Sequence, residues 1–189
     1  MADLLATPGV REVVHLRGTA GVLALHGGLE QHTAEMARAV AALARASRYT
    51  VVLPAGLYWH VPSVCFDPGQ SAALARFLGH VDTVLSVHGF GRKGFAGTVL
   101  LGGSNRSLAR ELGGALRRRT ALRVVDDLEA IPRPLRGVHR RNPVNLPHRG
   151  GVQVELSPGA RQRPVREAVV TALADVLAAH QPGLAAGTG

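Results

Sequence analysis

Hydrophobic positions along the chain change period repeatedly, and each change predicts an element. Val22–Leu25 is apolar throughout, the pattern of a strand buried on both faces. From about His32 the spacing becomes helical, with Met36, Val40 and Leu43 at i, i+4 and i+7. Tyr49–Leu53 reads as a strand ended by Pro54. A helix from about Gln70 to Leu78 is expected to bury Leu74, Phe77 and Leu78. Asp82–Val87, Val99–Leu101 and Leu122–Val125 read as strands, and Val13–Leu16 as a short one. Between Val99–Leu101 and Leu122–Val125, Leu108, Leu112 and Leu116 form a helical stripe that ends in Arg117-Arg118-Arg119, the charge a helix C-terminus favours. Gly151–Leu156 alternates like a strand. A last helix, about Pro164 to His180, presents Val165, Val169, Leu173, Val176 and Leu177.

Strands alternating with helices predict a three-layer α/β/α sandwich. Because a long loop precedes Gly151–Leu156, some antiparallel pairing is expected and the central sheet is read as mixed. Residues 1–181 are read as one domain and 182–189 as a flexible tail. Two irregular stretches stand out. Gly56–Gly69 concentrates Trp59, His60, Ser63, Cys65 and Asp67, and Ile131–Gly150 holds four prolines among arginines and histidines. Structureless loops of that length are uncommon in compact domains and are often functional.

The composition, 46% hydrophobic and 19% charged, is that of a globular chain. No apolar run approaches a membrane span and no secretory signal is seen, so a cytoplasmic location is the expectation. Cys65 is the only cysteine, which excludes an internal disulfide and any multi-cysteine metal site. A net charge of +9 suits a polyanionic or carboxylate-rich partner, or else reflects arginines on solvated faces. The few aromatic residues are not interleaved with basic ones, which argues against a stacking platform for nucleic acid.

Two of the strands end alike, in an apolar run, a histidine and a glycine: Leu25-His26-Gly27 and Val87-His88-Gly89. Side chains leaving the C-terminal ends of parallel strands converge where ligands bind. His26, His88 and Glu30 would then supply two imidazoles and a carboxylate, leaving one position open on a tetrahedral zinc. Such an ion would lower the pKa of a bound water to about 7 and polarise a carbonyl. Glu155, on the same strand face as Gln153, is either a carboxylate for that chemistry or a solvent-facing residue of an edge strand. Spacing alone favours the edge strand.

Taken in order, His26-Gly-Gly-Leu-Glu30, Thr33-Ala-Glu35, Trp59-His60-Val-Pro-Ser63, Phe66-Asp67, Ser86-Val-His88-Gly89, Gly102-Gly103, Asn142-Pro-Val-Asn145 and Gly150-Gly-Val-Gln153-Val-Glu155-Leu-Ser157, followed by Arg161, resemble the poly-gamma-glutamate hydrolase family over residues 20–180. The resemblance implies a fold similar to zinc carboxypeptidases and one zinc per chain, held by His26, Glu30 and His88. It makes Glu155 the general base, taking a proton from water and passing it to the leaving amine. Asn142, Asn145 and Arg161 would bind substrate carboxylates, and His60 would line the cleft or act on the substrate. The glutamate of the first motif stands one position earlier than is usual in the family, so Glu35 remains the alternative carboxylate ligand.

The function expected is a zinc-dependent amidohydrolase acting on gamma-glutamyl or related amides of acidic, polymeric or small substrates. The arginines of the 131–150 loop (Arg133, Arg136, Arg140, Arg141 and Arg149) would border its site. One alternative is a zinc exopeptidase or deacylase acting on another carboxylate-bearing amide. The other is a basic, phage-related nucleic-acid-binding module, for which no recognised motif is present.

Overall fold

The computed structural model describes residues 1–181; the expected tail, 182–189, lies outside the described residues. The elements run α1 Ala2–Ala6, β1 Arg11–His15, β2 Ala20–Gly27, α2 Thr33–Leu43, β3 Ser47–Val52, α3 Ala72–His80, β4 Thr83–Gly89, β5 Thr98–Leu101, α4 Arg106–Arg119, β6 Arg123–Val125, β7 Gly151–Leu156 and α5 Val165–Ala179. The seven strands form one sheet in the order β1-β3-β2-β4-β7-β5-β6. Pairing is parallel from β3 through β2 and β4 to β7, and again between β5 and β6. It is antiparallel for β1 with β3 and for β5 with β7. The mixed three-layer α/β fold is therefore as expected, and one of its two antiparallel steps falls on the strand that follows the long loop.

Three helices cover one face. Met36 and Val40 of α2, Leu108, Leu112 and Leu116 of α4, and Leu173 and Leu177 of α5 meet Val22, Val87, Val99 and Val154 of the sheet. Asn105 caps α4 by accepting from the Leu108 amide at 3.0 Å, a contact of a kind that contributes about 1 kcal/mol. On the other face α3 packs Leu74 and Phe77 against Leu23, Tyr49 and Val84. Complete burial of such side chains stabilises the fold by roughly 1.5–3 kcal/mol each. Beyond α3, over β5 and β6, the 131–150 loop takes the place of a helix, and Ile131 closes a small cluster with Phe90, Leu100 and Val125.

Some expectations are corrected. Leu43 is 62% exposed, because the stripe of α2 that meets the sheet continues through Ala37 and Ala41 instead. The α3 helix starts at Ala72 because Ser71 caps it, its hydroxyl accepting from the Leu74 amide. The alternation in Gly151–Leu156 does not mark an edge strand. All six residues of β7 are buried, since β4 and β5 flank them on both sides. No described helix is long and apolar enough to cross a membrane.

Candidate metal centre

The site forms where β2, β4 and β7 end side by side. Across β4 and β7, Ser86 pairs with Gln153 and His88 with Glu155, so two polar pairs at period-two spacing stand in register, alternating with the apolar pairs Leu85–Val152 and Val87–Val154. On β2 the three steps from Ala24 to Gly27 match two steps on β3, from Thr50 to Val52. That bulge breaks the alternation and re-aims the strand end, as bulges beside functional sites do. His26 turns toward Phe66 and His60, with ring centroids 5.9 Å and 4.5 Å away. Gly28 follows with φ +82°, and a Cβ there would meet the Leu53 carbonyl oxygen at 2.3 Å, so the turn that returns Glu30 to the site needs glycine.

His26, Glu30 and His88 converge, each offering a ligand atom within 4.8 Å of the others. His26 Nδ1 lies 2.9 Å from Glu30 Oε1 and 3.2 Å from His88 Nδ1, and His88 Nδ1 lies 3.5 Å from Glu30 Oε2. Ligand atoms on a tetrahedral zinc with bonds of 2.0–2.1 Å stand about 3.3 Å apart, so the triangle fits that ion. The outer contacts fit as well. His26 Nε2 donates to the Val61 carbonyl at 2.8 Å, which fixes the tautomer that leaves the Nδ1 lone pair free. His88 Nε2 bonds the Ser86 hydroxyl at 2.9 Å. The Gly89 amide donates to Glu30 Oε2 at 2.8 Å.

Considered as side chains alone, these groups hold opposing charges tightly. Burial would raise the pKa of Glu30, but the charge of His88 and hydrogen bonds from both histidines outweigh it and keep the carboxyl well below its usual range. Burial would push His88 down, yet the charge and hydrogen bond of Glu30, with Glu155 adding, leave it raised. Glu155 is raised by burial, reinforced by the charge of Glu30 and opposed by His88 and by Gln153. Burial, with the neighbouring charge of His26, holds His60 down.

Glu155 faces the same cleft, of roughly 580 Å³, as the three converging residues. Gln153 Nε2 donates to Glu155 Oε1 at 2.8 Å, and Asn142 Nδ2 donates to Gln153 Oε1 at 2.8 Å. The chain Asn142–Gln153–Glu155 thus orients the carboxylate through the long loop. His60 and Asn142 line the cleft, and so do His139 and Arg133. Asn145 and Arg161 do not. Asn145 staples the loop, donating to the Gly137 and His139 carbonyls and accepting from the Ser104 amide. Arg161 is buried behind Gly89 and donates through Nη1 to the Gln31 carbonyl at 2.7 Å. Glu35 is exposed on the first turn of α2, away from the converging residues. Of the remaining loop arginines, Arg136 pairs with Glu129 and Arg149 bonds His180, and neither lines the cleft.

Period-two spacing before His88 and before Glu155 was a sequence signal for Ser86 and Gln153 as their supports. Nothing in the sequence marked the Val61 carbonyl or the Gly89 amide, since backbone groups reach a site only through tertiary packing.

No curated protein matched the chain. Solved structures share the fold. A bacteriophage poly-gamma-glutamate hydrolase superposes with a TM-score of 0.77 at 21% identity, over 91% of this chain and 89% of that one. The zinc-free form of the protein YNDL gives 0.76 at 24%, over 89% of each. The N-acetylmuramoyl-L-alanine amidase AmiC2 of Nostoc punctiforme gives 0.50 at 14%, over 87% of this chain and 98% of that one. A His-Glu-His triangle at strand ends with both histidines buried, in this fold, agrees with what the sequence itself matches over residues 7–173, and the chain belongs to the poly-gamma-glutamate hydrolase family.

Proposed function

We propose that the chain is a zinc-dependent hydrolase of gamma-glutamyl amide bonds in acidic substrates, with poly-gamma-glutamate as the leading substrate class. The observation that carries this reading is the convergence of His26, Glu30 and His88 beside a buried Glu155 in one cleft. Zinc held by those three would lower the pKa of a water to about 7 and polarise the scissile carbonyl.

Glu155 is the general base in this reading. Burial brings its pKa up toward the working range of such a base, while the Gln153 donor keeps it oriented. It takes a proton from the attacking water as the new C–O bond forms. It then gives that proton to the amide nitrogen as the C–N bond breaks, leaving a carboxylate and an amine. At the mouth, Arg133 supplies a cation for a substrate carboxylate. His60 and Asn142 shape the wall. Arg161, held against Gly89 and Gln31, supports the turn that carries Glu30.

The test is a metal analysis of the purified chain together with an assay on poly-gamma-glutamate. About one zinc per chain, hydrolysis abolished by chelation and restored by zinc, and hydrolysis slowed by about 10²–10⁴-fold in Glu155→Gln are expected. A chain that takes up no zinc at micromolar concentration overturns the reading. Hydrolysis of small acylated amino acids in place of the polymer would move the substrate class and keep the zinc chemistry.

A further inference from the structure

A second cavity, of about 240 Å³, lies at the opposite end of the strands from the metal centre. It is lined by His15, Arg17, Arg38 and Arg48 together with Ala41, Ala42 and Ala46. The topology gathers these residues. His15, the last residue of β1, pairs with Arg48 near the start of β3, and α2 passes over them with Arg38 and its C-terminal alanines.

No acidic side chain lines this cavity, and none of the four basic residues is in an ion pair among the described residues. Arg48 is the most constrained of them. Its Nε is buried without a hydrogen-bond partner, one of two such side-chain atoms among the described residues. Burial and the charge of Arg38 both disfavour its cationic form. A partly buried guanidinium beside a second cation is costly unless an anion compensates it. Neutral alanine walls leave room for that anion, and an arginine fork is the donor geometry that oxyanions accept.

We propose that this pocket is an anion site, separate from the catalytic cleft, that binds a phosphate or carboxylate group through Arg48, with Arg38 and Arg17 around it. The assignment does not depend on the hydrolase reading, because none of these residues touches the metal centre.

Thermal unfolding of the full chain tests it, with inorganic phosphate compared against sodium chloride at matched ionic strength. Phosphate should raise the unfolding temperature of the unmutated protein by about 2–4 °C. Arg48→Met should lose that shift while being no less stable in chloride, since it removes an uncompensated charge. Should Arg48→Met fail to fold, Arg38→Gln, at an exposed position, should weaken the shift on its own. Glutamate in place of phosphate separates the two sources. A shift with phosphate alone marks a phosphate site, and a shift with both marks a general oxyanion site. Equal shifts in the unmutated and substituted chains, or no shift beyond the chloride control, overturn the proposal.

Discussion

The Nδ1 atoms of His26 and His88 face each other at 3.2 Å, with Glu30 closing the triangle. Two imidazole lone pairs at that distance repel unless a proton or a cation lies between them. Among side chains alone burial works against a proton on His88, but the Glu30 charge and hydrogen bond outweigh it and raise its pKa, which favours a proton there. Zinc must displace it. Zinc affinity should therefore rise with pH through the titration of His88 and level off above it, with proton release visible as buffer-dependent heats in calorimetry. An affinity independent of pH between about 5 and 8, the range in which histidine titrates, would contradict this arrangement.

The same proton sets the sign of stability for the zinc-free protein. The folded pKa of His88 lies above its ordinary value of about 6.5. The His88–Glu30 pair therefore stabilises the fold fully only between the ordinary Glu30 value of about 4.5 and that value, and the gain is lost as pH rises through the folded pKa of His88. Chelator-treated protein should unfold at a lower temperature as pH climbs through this window, and zinc should reverse the trend.

Two carboxylates were open as the ligand in the sequence. Glu30→Gln should cost more than about 100-fold in zinc affinity, beyond the range seen for outer-contact losses, whereas Glu35→Gln should leave it unchanged. Competition with a chromophoric chelator reads both, and the reverse ranking would displace Glu30 from the site.

Glu155→Gln keeps the volume of the side chain and removes its basicity. Zinc content should match that of the unmutated protein while kcat falls by about 10²–10⁴. If zinc and activity disappear together, Glu155 belongs to the ligand set.

Gln153 donates to Glu155 and so favours its ionised form. With Gln153→Ala the carboxyl loses that donor and its pKa moves further up. The acidic limb of the kcat/KM profile should then shift to higher pH. A profile that merely drops in height would assign Gln153 to packing.

Gly89 touches the site from two sides. Its amide holds Glu30, and a Cβ on it would meet the Arg161 guanidinium carbon at 2.7 Å. Gly89→Ala should displace Arg161, disturb the Glu30 turn and weaken zinc binding by about 10–100-fold. Gly91→Ala, where the added carbon meets nothing within 4 Å, is the control and should bind zinc normally.

Periodicity was enough to read the elements themselves. The buried runs of β2 and β4 and the stripe of α4 state their burial in their own spacing, because local pattern and tertiary fate agree there. The order of short motifs pointed to His26, Glu30 and His88, and strand-end placement said why they would meet. What spacing misjudged was β7. A Glu at alternating positions looks solvent-facing until the neighbours on both sides are known, and only β4 and β5 bury it. The β2 bulge, the Val61 carbonyl that sets the His26 tautomer, and the arrival of Glu30 beside the two histidines, with Glu35 apart from them, were likewise decided in three dimensions. So was the sorting of the loop arginines, of which Arg133 reaches the cleft while Arg136 is spent on Glu129. Each of these depends on which groups from distant parts of the chain arrive at one place. Hydrophobic period records how much of a residue is covered, and carries no information about what covers it.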